Sequence, residues 1–573
     1  MHTHPIVPPK AETKAQRAER LKHAKNPWEA IDEIREFARS GRDSILPEWL
    51  STYFRWWGIY TQGDGAGAVG GQGGEGKASP YFMLRIALPN GLLRARQLRV
   101  VANLAERHAR GQADITVRQN IQLHWVTIES IPEILETLAA EGMSPMGACG
   151  DVVRNITGCP LAGVAAEELC DASPLVLEAA KLVRAQADFY NLPRKFKISI
   201  TGCPVWCSYP EINDIGLTAV ARRLHGQREV GFSIRVGGGL SADPHLAVRL
   251  NAFVRYEQAT EMVKAVTELF RDAVVLRENR KRARMKHLFT QFGWNAESFL
   301  EEVNRKLGYR LDPAAEEFPP RDVLRDHVGI HAQKQDGLYH VGAAVLRGRI
   351  TADQMRIAAE LSERHASGEL RTTGMQNLLF VNVPRSSVDP LVRALDAAEL
   401  RVEASPFWRG AISCTGMEFC KLAITETKTF TRWLVEELED RVPGFDEQLK
   451  LHVTGCPNAC GQHWIADIGL EGKRIKHEGD LVDAYYFCVG GAVGEFQRLA
   501  RPIGYRCIAR EVPAAIERLL SAYLAGRNEQ ESLRAYFARF SDEELRAQFA
   551  GAAAPAVLRD SPAGVIPEGV RGC

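Results

Sequence analysis

The chain repeats itself, and that repeat limits its possible folds more than any other feature. Leu104-Ala-Glu-Arg-His-Ala-Arg-Gly111 returns as Leu361-Ser-Glu-Arg-His-Ala-Ser-Gly368, and Gln119-Asn120-Ile121 returns at the same offset as Gln376-Asn377-Leu378. Farther along, Thr201-Gly202-Cys203-Pro204 and Asp214-Ile215-Gly216-Leu217 recur as Thr454-Gly455-Cys456-Pro457 and Asp467-Ile468-Gly469-Leu470, and Gly237-Gly238-Gly239 recurs as Gly490-Gly491-Ala492. So many segments in the same order imply two homologous halves. They join near residues 310–325, where Pro313, Pro319 and Pro320 cluster. A length of 573 residues allows about four domain-sized units, so each half has room for two.

Each half opens with strand, helix, strand. In the first, Tyr81–Leu88 is a strand, Arg96–Arg110 carries Leu98, Val101, Ala102 and Ala105 at helical spacing, and Asp114–Ile128 alternates as one further strand. That order predicts an α+β fold with helices packed on sheets. Residues 1–60 read as a polar helical arm ending in the aromatic run Trp49, Tyr53, Phe54, Trp56, Trp57 and Tyr60. Eight glycines follow between Gly63 and Gly76. Gly65-Ala-Gly-Ala-Val-Gly70 matches a dinucleotide-binding pattern, but more glycine follows it where a helix should start, so it reads as a loop. Residues 550–573 read as a loose tail.

Charge excludes some function classes. With 72 Lys plus Arg against 71 Asp plus Glu, no global field favours nucleic acid or an anionic membrane. No apolar run is long enough to span a bilayer, and the first residues lack the apolar core of a signal peptide, which predicts a cytoplasmic protein. Twelve cysteines are too few for a disulfide scaffold, and close pairs in a reducing compartment point to metal or redox chemistry.

Two such pairs stand out. Cys414 and Cys420 have five residues between them and Cys456 and Cys460 have three, both in Thr-Gly surroundings. Four thiolates can hold a [4Fe–4S] cluster, and they can equally hold a structural zinc. The spacings are wider than a usual zinc knuckle. In the first half, Ile156 and Ala162 are expected opposite Cys414 and Cys420, which leaves Cys203 and Cys207 as remnants of the duplication or as a lone redox pair.

The first half is richer in polar groups. By strand parity Arg118, Asn120, Gln122 and His124 share one face, while the copy of that face reads Met375, Asn377, Leu379. A bulky anionic ligand accounts for an arginine that its copy lacks. Lys195 and Lys197 project together from an expected strand Arg194–Ile198, with Phe196 and Ile198 facing inward, and two neighbouring cations are easiest to place around a shared anion.

These motifs together resemble the siroheme-dependent sulfite and nitrite reductases: the two cysteine pairs, Thr116-Val-Arg-Gln-Asn-Ile-Gln-Leu-His124, Arg154-Asn155 and Leu192-Pro-Arg-Lys-Phe-Lys197. The resemblance covers roughly residues 45–545. It implies an internally duplicated chain in which each half is a ferredoxin-like α/β half-domain followed by a mixed α+β cofactor-binding domain. The boundaries expected are an arm and loop at 1–80, half-domains at 81–150 and 326–405, a siroheme and substrate domain at 151–320, a [4Fe–4S] and siroheme domain at 406–549, and the tail at 550–573.

The resemblance also assigns roles. Cys414, Cys420, Cys456 and Cys460 would hold the cluster, with Cys460 also the axial ligand of the siroheme iron. Arg85, Arg154, Lys195 and Lys197 match the positions around substrate, where cations would hold an oxyanion and stabilise charge as oxygen leaves. Arg118, Asn120, Gln122, His124 and Arg194, with Arg280 and Arg284 from the basic run Asn279–Lys286, would meet the siroheme carboxylates. Tyr60 and Cys149 match a pair that is covalently linked in some relatives.

The activity implied is the assimilatory six-electron reduction of sulfite to sulfide, with ferredoxin-dependent nitrite reduction as the alternative. Lys-x-Lys at 195 and 197 is the sulfite pattern, since nitrite reductases usually carry Asn at the second position. Sulfite, largely dianionic near neutral pH, gains more than nitrite from the extra cation. The chain carries no convincing flavin or NADPH module, so reduced ferredoxin would be the donor to a monomer that binds neither nucleic acid nor membrane. A non-catalytic iron–sulfur carrier or a zinc-stabilised binding protein would not need the four cations.

Overall fold

A computed structural model describes residues 12–63, 80–321 and 325–551. The glycine-rich stretch beyond Gly63 and the tail beyond Gly551 lie outside the described residues, as does Cys573.

Among the described residues, four five-stranded sheets carry the fold, two in each half. The first orders Ile59–Thr61, Phe82–Ile86, Ile121–Val126, Gln112–Ile115 and Arg349–Thr351; its counterpart orders Gly329–Ala332, Leu338–Ala343, Leu378–Pro384, Glu369–Thr372 and Leu92–Arg94. The outermost strand of each sheet therefore comes from the other half. Arg349 pairs with Asp114 and Thr351 with Gln112, while Leu92 pairs with Arg371 and Arg94 with Glu369, all antiparallel. Each donated strand runs directly into a long helix, Ala95–His108 or Ala352–His365, and these two helices pack against each other.

The exchange is locked by reciprocal contacts. Gln119 donates through Nε2 to the Thr372 carbonyl (3.0 Å) and accepts at Oε1 from the Gly158 amide (3.1 Å). Its copy Gln376 donates to the Ile115 carbonyl (2.9 Å) and accepts from the Ser413 amide (3.1 Å). The turns that lead into the donated strands pass close to the other half: a Cβ on Gly91 (φ 69°) would lie 2.3 Å from the Thr372 oxygen, and one on Gly348 (φ 70°) 2.4 Å from that of Ile115. Only glycine fits a left-handed backbone at that range. Arg99 with Glu363 (2.7 Å) and Arg356 with Glu106 repeat the symmetry on the surface.

The remaining sheets are topological copies. Val248–Arg255, Gln227–Val236, Ile215–Leu224, Ile198–Thr201 and Thr157–Gly158 make one; Arg501–Ile508, Asp480–Val489, Ile468–His477, Leu451–Thr454 and Ala411–Ser413 make the other. In both, the last two strands named are parallel and the long hairpin antiparallel. The helices Ser173–Ala185 and Ala259–Asp272 bury Val176, Ala179, Val263 and Val266 against the first copy, as expected for amphipathic helices on one sheet face. The aromatic run of the arm is core: Trp49, Tyr53, Phe54 and Trp56 are buried and pack edge-to-face or tilted against one another and Phe37.

Three sequence expectations are corrected here. Asp114–Ile128 is two strands, Gln112–Ile115 and Ile121–Val126, with a turn between in which Gln119 is left-handed (φ 57°), so Arg118 and Asn120 sit on a turn and share no strand face with Gln122 and His124. The strand expected over Arg194–Ile198 begins only at Ile198, although Lys195 and Lys197 do alternate with buried Phe196 and Ile198. Finally, the strand register places Ser413 beside Val453 and Gly158 beside Ile200. The first-half match of Cys414 is therefore Cys159, and that of Cys420 is Ala165.

Loss of Gln376 would leave the Ser413 amide and the Ile115 carbonyl buried without their partner. Gln376→Ala should lower stability by about 2–4 kcal/mol and shift a denaturant midpoint down; an unchanged midpoint would remove the reciprocal amides from the account of how the halves are held.

Candidate active site

The cations converge where the first-half sheets face the cysteine segments of the second half. Arg85, on the strand Phe82–Ile86, donates through Nη1 to the Ala148 carbonyl (3.2 Å) and to Cys149 Sγ (3.2 Å). With its amide oxygen turned toward Arg85, Gln122 on the adjacent strand accepts from Nε (3.0 Å) and Nη2 (2.5 Å). Arg154 donates to the carbonyls of Gly150 (2.9 and 3.0 Å) and Ala148 (3.3 Å) and to Tyr60 Oη (3.5 Å). Tyr60 and Cys149 thus both touch the arginine pair.

Among the described residues, Lys195 and Lys197 have no ion pair and no side-chain hydrogen bond; Lys197 is anchored by its backbone amide, which donates to Asp214 Oδ2 (2.8 Å). Burial first, then Arg284, Arg154 and Arg194 outweighing the Cys460 sulfur, pulls Lys195 down to about 8. Burial and the charges of Lys195, Arg118 and Arg284 hold Lys197 well below the usual lysine range. Cations crowded to this extent favour an anion among them.

The internal copy supplies a control. Arg409 and Lys450 occupy the positions of Arg154 and Lys197 in the second half, and both have carboxylate partners: Arg409 binds Asp326 (2.6 and 3.0 Å), and Lys450 Nζ lies 4.0 Å from Asp467. Arg154 and Lys197 have no such partner among the described residues.

The expected siroheme contacts divide into two groups. Arg118 is half-buried and clamps the Asn155 and Ile198 carbonyls (2.6 and 3.0 Å) and Asn213 Oδ1 (2.8 Å), with Nε left over; desolvation and surrounding cations bring it down to about 9. Arg194 and Arg280 meet on Asp151 (3.4 and 2.7 Å), and Arg284 is paired with buried Asp214 (2.9 Å). Arg280 Nη1 and Arg284 Nε are buried without partners. Such donors, held by one carboxylate and still unsatisfied, suit a ligand rich in carboxylates.

Asn120 and His124 are otherwise engaged. Asn120 accepts from the Leu88 amide (3.4 Å), and its copy Asn377 does the same for Val345 (3.1 Å), so this contact belongs to the fold of both halves. His124 lies 3.3 Å from Asp114 and stacks on Phe419 with centroids 3.8 Å apart, beside Cys420. Asp151 and Asp214 escaped the sequence reading. Asp214 had a signal, since it opens the repeated Asp-Ile-Gly-Leu and Asp467 likewise accepts from the Lys450 amide (2.7 Å).

Cys414, Cys420, Cys456 and Cys460 lie on the loops after Ala411–Ser413 and Leu451–Thr454, near enough to act electrostatically on one another. The Gly455 amide donates to Cys414 Sγ (3.2 Å) and Asn458 Nδ2 to Cys456 Sγ (3.5 Å), contacts that suit thiolate ligands. Burial, then the Cys460 charge, pushes Cys420 up to about 11 and Cys456 to about 12. Thiols pushed up in this way ionise more readily when a cationic centre shares the space. Cys460 is the exposed one, and its charge is felt by the other three and by both lysines.

Comparison with known proteins agrees with this geometry. The model described as "Nitrite and sulphite reductase 4Fe-4S domain" matches residues 149–311 and 405–554, and "Nitrite/Sulfite reductase ferredoxin-like half domain" matches 75–141 and 331–398. The chain belongs to the nitrite and sulfite reductase family. It is an oxidoreductase that uses siroheme and a [4Fe–4S] cluster. Among its relatives, the assimilatory ferredoxin-dependent nitrite reductase of Haloferax mediterranei is 38% identical over 88% of both chains. Sulfite reductase [ferredoxin] 1 of Mycolicibacterium paratuberculosis is 35% identical over 92% of this chain and 95% of its own. The solved structure of the Mycobacterium tuberculosis NirA protein superposes with a TM-score of 0.86 at 33% identity, covering 92% of this chain and 97% of that one. Among the described residues no helix is long and apolar enough to cross a membrane.

Asp214→Asn would leave Arg284 without its charge partner and loosen the Lys197 backbone. The purified variant should retain several-fold less siroheme per chain, read from the absorbance ratio of cofactor to protein; full retention would argue that Arg284 does not depend on Asp214 for its placement.

Proposed function

We propose that the chain reduces sulfite to sulfide, taking six electrons from reduced ferredoxin. The observation that carries this reading is the asymmetry between the halves: among the described residues, Arg154 and Lys197 lack carboxylate partners of the kind that their copies Arg409 and Lys450 possess. The extra charge is thereby left for substrate, and Lys197 rather than Asn favours the more highly charged anion. The names of the relatives include both activities and their identities of 38% and 35% do not separate them, so nitrite reduction to ammonia is the alternative.

In this reading Cys414, Cys420, Cys456 and Cys460 hold the cluster, while Arg118, Arg194, Arg280 and Arg284 hold siroheme carboxylates. When bound, the cofactors would supply the electron transfer. Arg85, Arg154, Lys195 and Lys197 fix the oxyanion and offset the negative charge that develops as oxygen departs. Gln122 and the Ala148 carbonyl hold Arg85 in place for this, and the Gly150 and Ala148 carbonyls do so for Arg154. Lys195, near 8, can pass a proton to a leaving oxygen at neutral pH. The same reading takes the enzyme as a cytoplasmic monomer. Relatives of both activities are named for ferredoxin, which supports it as the donor here.

The decisive assay compares kcat/KM for sulfite and nitrite in the holoprotein with a low-potential donor. Sulfite should be preferred, and Lys197→Asn should move the ratio toward nitrite by about tenfold, the weight of one cation at roughly 1.4 kcal/mol. An unchanged ratio would take substrate choice away from Lys197. A second expectation concerns pH. Lys195 loses its proton as pH rises through about 8, so KM for sulfite should climb between pH 7 and pH 9 in the native enzyme; a flat KM over that range would contradict the role given to its charge.

A further inference from the structure

The arm opens with a helix, Lys14–His23, that buries a lysine. Lys22 is 6% exposed, and a charge so placed needs partners within the protein. Its Nζ lies 2.6 Å from Glu19 Oε1, one turn back, and donates to the Leu192 carbonyl (2.8 Å), far along the chain. Glu19 is shared with Arg277, whose guanidinium also donates to the Asn191 carbonyl (2.8 Å) and to Asn191 Oδ1 (3.2 Å).

The arm reaches the rest of that turn as well. Trp56 Nε1 donates to the Tyr190 carbonyl (3.0 Å), a ring nitrogen of His23 lies 2.9 Å from Asn191 Nδ2, and Trp28 meets Tyr190 edge-on with centroids 5.9 Å apart. The carbonyls of Tyr190, Asn191 and Leu192 are thus each bound by a side chain, immediately before Arg194, Lys195 and Lys197 leave the same segment. The Leu192 amide in turn donates to the Asp151 carbonyl (3.1 Å). Charge follows the same path. Against its burial, Arg194, Arg280 and Lys22 hold the Asp151 carboxylate below its usual range.

The internal copy lacks this arrangement. Aligned through Ile198–Thr201 and Leu451–Thr454, the copy of Tyr190-Asn191-Leu192 is Pro443-Gly444-Phe445, of which Pro443 and Gly444 are exposed. Among the described residues no side chain donates to a carbonyl of that copy. Glu447 and Gln448 stand there in place of Arg194 and Lys195. The half whose turn is held from outside is therefore the half that carries the crowded cations.

We propose that Lys22 is a positioning residue for this cation segment: by fixing the Leu192 carbonyl and adding its charge beside Asp151, it keeps Arg194, Lys195 and Lys197 in place against their mutual repulsion. The inference rests on the reading in which Arg194 holds siroheme and the two lysines hold the oxyanion.

The test uses full-length protein purified with its cofactors. Lys22→Met keeps the length of the side chain and removes both donor and charge. Siroheme per chain, read from the absorbance ratio of cofactor to protein, should fall several-fold; in the loaded fraction KM for sulfite should rise about tenfold while kcat changes far less. Lys22→Gln, with a shorter neutral donor, should move both quantities in the same direction by less. Native siroheme content and native KM in both variants overturn the proposal, and so does failure of both to fold, which would make Lys22 a stability residue alone. Leu21→Ala removes packing from the same helix but leaves the Leu192 carbonyl bound. Measured below its thermal midpoint it should keep native siroheme and KM; losses equal to those of Lys22→Met would trace the effect to arm packing and overturn the proposal. Arg194→Met keeps the two levels apart. It should itself lose siroheme, and if it does not, the reading of the site falls and the proposal with it. Loss in Arg194→Met without loss in Lys22→Met leaves that reading standing and removes only the role of Lys22.

Discussion

The structure depends on an exchange of two short strands. Arg349–Thr351 completes the first-half sheet and Leu92–Arg94 the second-half sheet, and each runs straight into a helix that packs on its partner. A three-residue strand contributes little by itself. It matters here because Gln119 and Gln376 reach from the adjoining turns, each donating through Nε2 to a carbonyl of the other half and accepting at Oε1 from an amide of its own half. This fixes how each ferredoxin-like sheet lies over the cysteine loops of the opposite half, and so brings first-half arginines and lysines to second-half sulfurs.

Duplication gives the chain its own comparison. Where the halves agree, as in Asn120 with Asn377 or Asp214 with Asp467, the contact maintains the common fold. Where they differ, function is concentrated. Arg409 and Lys450 are neutralised by carboxylates while Arg154 and Lys197 are not, and Leu379 and Val381 replace Gln122 and His124. Electrostatically the first half is left under-compensated, a condition that costs stability and is relieved by anionic ligands.

Much of this was legible in the sequence because the repeated segments are local. Thr-Gly-Cys-Pro and Gln-Asn carry their turns with them, so duplication and α+β class followed from pattern alone. The alignment between those anchors was not legible: the offset changes from one repeated segment to the next, and without strand register the match of Cys414 fell on Ile156 instead of Cys159. The turn at Gln119 was hidden because a left-handed glutamine leaves no glycine to announce it. Asp151 was missed since its partners Arg194 and Arg280 lie far along the chain, and a charge triad of that kind exists only after folding.

The strand exchange has a consequence for the order in which the protein can be made. A chain emerging from the ribosome has made Gln112–Ile115 well before Arg349–Thr351 exists, and until then Gln112–Ile115 is an open sheet edge with its outward hydrogen-bonding groups unpaired. Domains that fold as they are synthesised usually finish in sequence from the N-terminus. In this chain neither sheet can close until the second half is under way, so the nascent first half waits with an exposed edge, and the side that carries Arg154 and Lys197 is completed only as the cysteine-bearing side arrives.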